Sequence, residues 1–533
     1  MAKKKVVTWW SFLTIVLAFL SLSFVLLFSY ESSSLQNRHH HIPASPRLRT
    51  DASNYVNHSI DRLGTYGGDY SSKPNEPEYE SIDKALDFIK SSTILKSSSI
   101  DFKKYLLALE GSVRIVNLPP FLSSDTIHKC DSLRPSKPSL LNHQHSLEIR
   151  FPSILKDMAA SAASKKTTSH NKRMLNPLWH DNDENNSDKK PLFYYLESYV
   201  YHAIYCTNKK NYKEDWTQRD PYWLEVSKYI TETVQWKENN GIDFLISSSH
   251  PQSGPTKIHP ASLNYLLRAS FLRTDFDASG FNPKDIIVPY LSDQLPFGDK
   301  FKDDVLVSKR RNILLYFSGG NNPVHGFREA LGAKILDYKT YIYTPSGPSS
   351  RGEEKVPSRS KFKENDIIYG IDKYNPAIEA SQDYIHRMTN SKFCLIVRGD
   401  TTSSRRLYTA IATGCIPVIV SDWISLPYES LLNWDKIVLI FPESIINNIG
   451  SLVETLLRVS QEQSDTIRMR LREARAILLY DPSPHFNSKE EKGRLINPVT
   501  LALIDALIRR ETYCRRLTGG SSSYCDSLLS LLE

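Results

Sequence analysis

A chain of 533 residues is too long for one ordinary core, and a composition 40% hydrophobic and 24% charged excludes a disordered polypeptide. Its net charge of +8 is the small difference between 67 basic and 59 acidic residues, which gives no reason to invoke nucleic acid. The mild positive bias suits an anionic ligand or a membrane surface equally well, and six cysteines are too few for a disulfide framework to hold a chain of this length.

The first signal along the chain is a run without charge at residues 6–30, preceded by Lys3, Lys4 and Lys5. At about 1.5 Å rise per residue such a helix crosses a hydrocarbon core of roughly 30 Å. The basic flank predicts a cytosolic amino terminus and places everything after Glu31 in the lumen or outside the cell. Trp9, Trp10 and Tyr30 stand where interfacial aromatics belong. A cleaved signal peptide is the competing reading, but the run is too long and ends without a small-x-small cleavage site. Residues 31–80, rich in Ser, Asn, His and Pro, predict a stem with too little apolar surface to offset chain entropy. Its three adjacent histidines, His39, His40 and His41, read as solvated linker before they read as metal ligands. Asn57 and Asn185 each open an Asn-x-Ser triplet in a polar stretch and are the expected glycosylation acceptors.

A first lobe is expected over residues 81–310. It opens with helices over 81–110, built on Ile82, Leu86, Ile89, Ile100, Tyr105, Leu106 and Leu109 and broken near Ser97. Strands are predicted at 113–118, 244–248 and 286–290, with helical stretches at 192–204 and 222–236. Between these, Asp181-Asn182-Asp183 has the composition of a divalent-cation motif, but an Asn/Asp-rich loop beside a glycosylation triplet favours a plain loop, and no metal or cofactor is expected.

The second lobe, residues 311–490, alternates more cleanly. Short β-rich runs at 312–317, 367–369, 393–397, 416–420 and 437–441 are separated by helical segments, the order that a parallel sheet with crossover helices produces. Cys394 and Cys415 lie inside apolar runs and read as buried small hydrophobes. A helical tail, 491–533, closes the chain. In it Cys514 and Cys525 flank a Gly/Ser-rich turn and are expected to close a short disulfide loop; Cys130 and Cys206 are less clearly partners.

Two strand-to-helix turns of the second lobe have the composition of an anion site. In the first, residues 314–317 run into Ser318-Gly319-Gly320, with a helix beginning near His325 and Arg328 in its first turn. In the second, residues 393–397 end at Arg398-Gly399-Asp400-Thr401-Thr402-Ser403-Ser404-Arg405-Arg406, and a helix continues to Ala412. Glycine lets the backbone approach a phosphate, hydroxyls and the helix start donate to its oxygens, and arginine adds a two-pronged donor. The bland alternative is that Asp400, Thr401 and Ser403 cap the helix while Arg405 and Arg406 are surface charges. Spacing alone leaves both open.

The string of residues 391–422, SKFCLIVRGDTTSSRRLYTAIATGCIPVIVSD, resembles the signature of exostosin-like glycosyltransferases, family 47. Residues 311–331, and LPYE at 426–429 followed by Trp434, are similar too, and residues 113–121, 241–244 and 285–290 match more loosely. The anchor-plus-stem layout looks most like the plant Golgi members that build wall polysaccharides and proteoglycan glycans. The resemblance implies an α/β fold of GT-B type, two Rossmann-like domains facing a cleft, after a transmembrane helix and stem. It further implies an inverting, metal-independent transfer from a nucleotide sugar, a UDP-sugar, to a glycan in the Golgi lumen.

On this reading Arg406 faces the donor diphosphate, Gly319, Gly399, Asp400, Ser403 and Ser404 surround it, Arg328 is a second phosphate partner, and Glu429 serves sugar or ribose hydroxyls. The chain departs from the family pattern at Thr409, where an acidic residue is usual, and at Phe244 and Pro251 in the first lobe. Those departures leave Asp243 and His250 as candidates for the base that an inverting transfer needs. They also motivate a second reading, an inactive homologue serving as partner subunit of active transferases. Association with itself or with other glycosyltransferases is left open.

Overall fold

The computed structural model describes residues 79–123, 146–165, 174–178, 190–205, 216–251, 253–254, 266–275, 284–291, 310–320, 326–335, 340–343, 365–372, 382–399, 401–480, 494–517 and 523–533. The predicted anchor, the stem up to residue 78, Asn57, Asn185, the Asp181 and Asp183 loop, Cys130, Cys206 and Asp400 lie outside the described residues. Among the described residues, no helix is long and apolar enough to cross a membrane.

Chain order begins with two capped helices. Ser81 caps α1 (Ile82–Ser91) through the Lys84 amide, and Asp101 caps α2 (Phe102–Ala108) through that of Lys104. The first lobe continues through β1 (Val113–Val116), α3 (Leu147–Lys165), β2 (Phe193–Leu196), α4 (Val200–Tyr205), α5 (Arg219–Thr231), α6 (Val234–Asn239), β3 (Phe244–Ser248), β4 (Ser270–Arg273) and β5 (Ile286–Ile287). These strands form a five-stranded parallel sheet in the order β1-β2-β3-β4-β5. Every residue of β2, β3 and β4 is buried, as expected of a parallel sheet covered on both faces.

That two-sided burial corrects the helix predicted over residues 192–204. Phe-Tyr-Tyr-Leu at 193–196 is an unbroken apolar run, whose periodicity cannot separate a buried strand from a helix, and it is a strand followed by the short α4. The strands β4 and β7 were not foreseen.

The second lobe runs through β6 (Ile313–Gly320), α7 (Phe327–Ile335), β7 (Thr340–Tyr343), β8 (Asp366–Asp372), α8 (Gln382–Asn390), β9 (Ser391–Val397), α9 (Arg406–Thr413), β10 (Ile416–Val420) and β11 (Leu439–Phe441). Its six-stranded sheet is also parallel, in the order β11-β10-β9-β6-β8-β7. Strand order therefore reverses between β6 and β9. A crevice opens at such a switch point, outside the carboxyl ends of the two strands. Gly414 ends α9 in the left-handed conformation (φ 64°), which turns the chain directly into β10.

Four helices complete the chain: α10 (Ile449–Arg458), α11 (Gln461–Leu478), α12 (Pro498–Arg516) and α13 (Ser523–Leu532). Helix α12 crosses back to the first lobe, where the buried Arg510 donates to the Phe244 carbonyl and the Ser270 hydroxyl. At its other end Tyr428 of the second lobe donates to the Pro498 carbonyl (2.7 Å), and Ser430 bonds Asp505. A continuous buried apolar cluster extends through both sheets and α12, so the lobes share packing.

Cys514 and Cys525 are joined in a disulfide. Cys394 and Cys415 are buried, as read from the sequence, but they are also bonded to each other. The correction is topological: β9 and β10 are paired neighbours, which brings the two Cα atoms to 5.7 Å, within disulfide range.

Candidate donor site at the switch point

The two glycine segments singled out in the sequence stand at the ends of the two strands that flank the switch point; Gly399 follows β9 as expected, whereas Ser318, Gly319 and Gly320 continue β6, paired with β8, where a turn was expected. Arg328 enters from the first turn of α7 and Arg406 is the first residue of α9, and both are buried (8% and 7% exposed). Their guanidinium groups meet the same ring, Phe317 of β6, with Arg406 at 4.9 Å and Arg328 at 5.9 Å from its centroid. Phe317 in turn stacks on Tyr369 of β8 (4.7 Å, 24°). Each arginine is held by a main-chain carbonyl across the switch point. Arg406 Nε donates to Ser318 O (2.7 Å), while Arg328 Nε donates to Arg398 O (3.0 Å).

The glycines are explained by these side chains. A Cβ on Gly319 would stand 2.2 Å from Arg406 Nη2, and one on Gly399 would stand 2.6 Å from Arg328 Nη2. Each glycine therefore leaves room for the arginine that belongs to the other strand-to-helix connection. Two guanidiniums on one ring repel each other, and an anion with several oxygens lowers that repulsion while accepting from both forks. The arrangement suits a diphosphate.

The remaining predicted donor ligands divide. Ser404 Oγ accepts from both the main-chain amide and Nη1 of Arg406 (3.3 Å each), so it orients the arginine. Ser403 corrects its expectation: its amide donates to Asp275 of the first lobe (2.8 Å), and its hydroxyl bonds Thr274 O and Tyr290 Oη. A group committed to those partners does not also serve a diphosphate. Glu429 is exposed, and its carboxylate accepts from the Leu426 amide (2.9 Å), closing a local turn in which Tyr428 has φ 54°. Thr409 is buried in α9 (3% exposed).

The first lobe sorts the two base candidates by position. Asp243 immediately precedes β3 at its amino end, where Asn239 Nδ2 donates to it and Arg510 lies near; burial raises its carboxyl above the ordinary range. Five residues of strand, roughly 17 Å, separate it from the ligand edge, which removes it as a base for the cleft. His250 follows β3 at the carboxyl end, half-buried, its ring stacked flat on Tyr201 (5.6 Å, 5°).

Sequence reasoning missed what lies around His250. Glu148 of α3 is fully buried and its carboxyl is raised by that burial. Its Oε2 is 3.3 Å from His202 Nδ1, and Ser249 Oγ donates to its Oε1 (3.2 Å). Glu197, just after β2, accepts from Lys156 (2.9 Å). These groups are far apart in sequence, and they are gathered by the packing of α3 beside the paired strands β2 and β3. A carboxylate or histidine one to three residues past an apolar run was the signal available.

Among the described residues no cluster of His, Cys, Asp and Glu is built to hold a metal ion.

Comparison with known proteins follows the same outline. Residues 111–456 match the family model for the Exostosin GT47 domain. The chain is 25% identical over 297 residues to "Probable arabinosyltransferase ARAD1" of Arabidopsis thaliana, covering 56% of this chain and 58% of that protein. It is 34% identical over 271 residues to "Probable glucuronoxylan glucuronosyltransferase IRX7" of the same plant, covering 48% and 53%. A shorter match joins it to bovine "Exostosin-2", 27% identical over 81 residues, covering 15% and 11%. The chain thus spans about half the length of the plant relatives it matches. Among solved structures it overlays on TarM with a TM-score of 0.23 and 11% identity, covering 53% of this chain and 60% of that one, which is too distant for any conclusion to rest on it.

Proposed function

Since the chain belongs to the exostosin GT47 family, we propose that it is an inverting glycosyltransferase of GT-B architecture that moves a sugar from a UDP-sugar to a glycan acceptor. The supporting observation is the convergence of Arg328 and Arg406 on Phe317 at the switch point, between glycines whose bareness admits the guanidiniums. Two fixed cations there stabilise the charge that develops on a departing nucleoside diphosphate, so a metal ion is not required for that step. The first lobe holds the acceptor, with His250 taking the proton of the attacking hydroxyl. The apolar run at residues 6–30 supports a single-pass anchor, with the catalytic part in the Golgi lumen, and the Cys394–Cys415 and Cys514–Cys525 disulfides fit an oxidising compartment. The plant relatives, whose names describe arabinosyl and glucuronosyl transfer, support a cell-wall polysaccharide or glycoprotein glycan as acceptor.

The test is calorimetric titration of the chain with UDP, GDP and a panel of UDP-sugars, followed by turnover against glycan acceptors. Uptake of UDP in preference to GDP, with sugar transfer, is the expected result. No uptake of any nucleotide would sink the proposal. Thr409, buried where the family carries an acid, favours the second reading, a partner subunit of active transferases; nucleotide uptake without transfer or hydrolysis would select it.

A further inference from the structure

The loop between β9 and α9 is gripped by the opposite lobe. At the end of β4, Asp275 is fully buried; its Oδ2 accepts from the Ser403 amide (2.8 Å) and its Oδ1 from Thr402 Oγ1 (3.0 Å). Next to it Thr274 O bonds Ser403 Oγ (3.3 Å), and Tyr290 Oη, past the end of β5, lies 3.4 Å from the same hydroxyl. The Tyr290 ring also meets Tyr408 of α9 at 6.0 Å. Three consecutive residues of the loop, Thr401, Thr402 and Ser403, are thereby engaged, since Thr401 bonds Tyr290 as well. Arg406 follows three residues after Ser403, and its guanidinium position depends on where that loop starts α9.

We infer that Asp275 is a positioning residue for the donor site: its carboxylate, reaching across from the acceptor lobe, holds the Thr402 and Ser403 loop in the conformation that aims Arg406 at the diphosphate. The inference rests on the proposed donor role of Arg406. A buried carboxylate that accepts an amide and a hydroxyl makes charge-assisted bonds, roughly twice as strong as neutral ones. Asp275 supplies the carboxylate among the groups that tie this loop to the first lobe, beside Thr274 O and Tyr290 Oη, so donor affinity depends on the lobes keeping this approach. When the competent loop is only fractionally populated, the apparent dissociation constant rises by the inverse of that fraction, while turnover at saturating donor is largely kept.

A graded series tests this on the full chain in detergent. UDP is titrated calorimetrically into the parent protein, Thr402→Val, Asp275→Asn and Asp275→Ala, with melting temperature, donor KM, acceptor KM and kcat measured beside it. Asparagine still accepts from the Ser403 amide but turns a donor toward Thr402, so Asp275→Asn is expected to weaken UDP about tenfold, Asp275→Ala more and Thr402→Val about threefold. Acceptor KM and kcat at saturating donor should stay within about twofold. If the parent protein takes up no nucleotide, the proposed function itself fails. If the parent binds UDP and the variants bind it equally well, whatever their melting temperatures, or if kcat falls with donor KM unchanged, Asp275 is only a structural contact and this inference is overturned. Should Asp275→Ala fail to fold, Thr402→Val and the isosteric Asp275→Asn still decide the matter.

Discussion

Both sheets are parallel, and both present side chains at the carboxyl ends of their strands, yet what they present differs in sign. The second sheet reverses direction between β6 and β9 and places Arg328 and Arg406 at the reversal. The first sheet runs from β1 to β5 without reversal, and its strand ends carry Glu197, Ser249 and His250, with Glu148 and His202 behind them, while Asp275 is committed to the Thr402 and Ser403 loop of the second lobe. A common architecture therefore supplies the place, and under the proposed function the residues set at the strand ends decide which half of a transfer each lobe serves. Cations stabilise a leaving diphosphate; carboxylates and imidazoles suit neutral hydroxyls and the protons they release.

The sharpest way to break this contrast is to remove one group from each side. Arg406→Ala takes away a fixed cation of the second lobe, and UDP affinity together with kcat/KM is expected to fall by about a hundredfold or more. His250→Ala should leave UDP affinity near that of the parent while lowering turnover at saturating donor by about a hundredfold. Calorimetry and steady-state rates on both variants separate the two. If His250→Ala lost UDP as severely as Arg406→Ala, the division of labour between the lobes would not stand.

A smaller effect ranks the two turns of the second lobe. Gly319→Ala would press on Arg406 at 2.2 Å and on its Cζ at 2.8 Å, whereas Gly399→Ala meets Arg328 Nη2 at 2.6 Å with Cζ at a tolerable 3.5 Å. Arg406 is also pinned through Nε at 2.7 Å, so it yields less easily than Arg328, pinned at 3.0 Å. UDP affinity should drop about tenfold to thirtyfold in Gly319→Ala and about threefold in Gly399→Ala, with melting temperature changed little in either. The reverse order would mean that Arg328 is the principal phosphate partner.

The same contrast explains what was legible in the sequence. β9, α9 and β10 could be read nearly residue by residue, because two apolar runs bracket a short polar turn and every signal is local. The arginine pair was half legible: both turns were visible, but that each glycine makes room for the other turn's arginine required the pairing of β6 with β9. In the first lobe, β2 reads as helix from the sequence because four apolar residues buried on both faces carry no period. Asp243 looked like a base because its sequence neighbourhood did; strand direction puts it at the wrong edge. Asp275 and Ser403 are 128 residues apart, and nothing local in either stretch announces the contact.

The sign difference extends below the strand ends, and there a pH titration can sharpen it. Asp285, just before β5, is buried against Arg273 of β4, with Arg273 Nε at 2.9 Å and the Phe271 amide donating to Oδ1 at 3.0 Å. Burial outweighs the pull of Arg273 and raises its carboxyl from 3.8 to about 6. A carboxyl that holds its proton more tightly folded than unfolded contributes stability that is full below pH 3.8 and is lost as pH rises through about 6. Over that interval the loss is of the order of 1–3 kcal/mol. Asp285→Asn removes the titration while also leaving Arg273 without its countercharge, so the variant is expected to be less stable at neutral pH. The informative quantity is the difference between the two urea-denaturation curves across pH 4 to 7. The parent should lose stability relative to Asp285→Asn as pH rises to about 6, then run parallel to it. A difference that grows in the parent's favour over the same interval would mean that Arg273 holds Asp285 ionised in the folded lobe, and that attraction, not burial, sets the charge of the first lobe's interior.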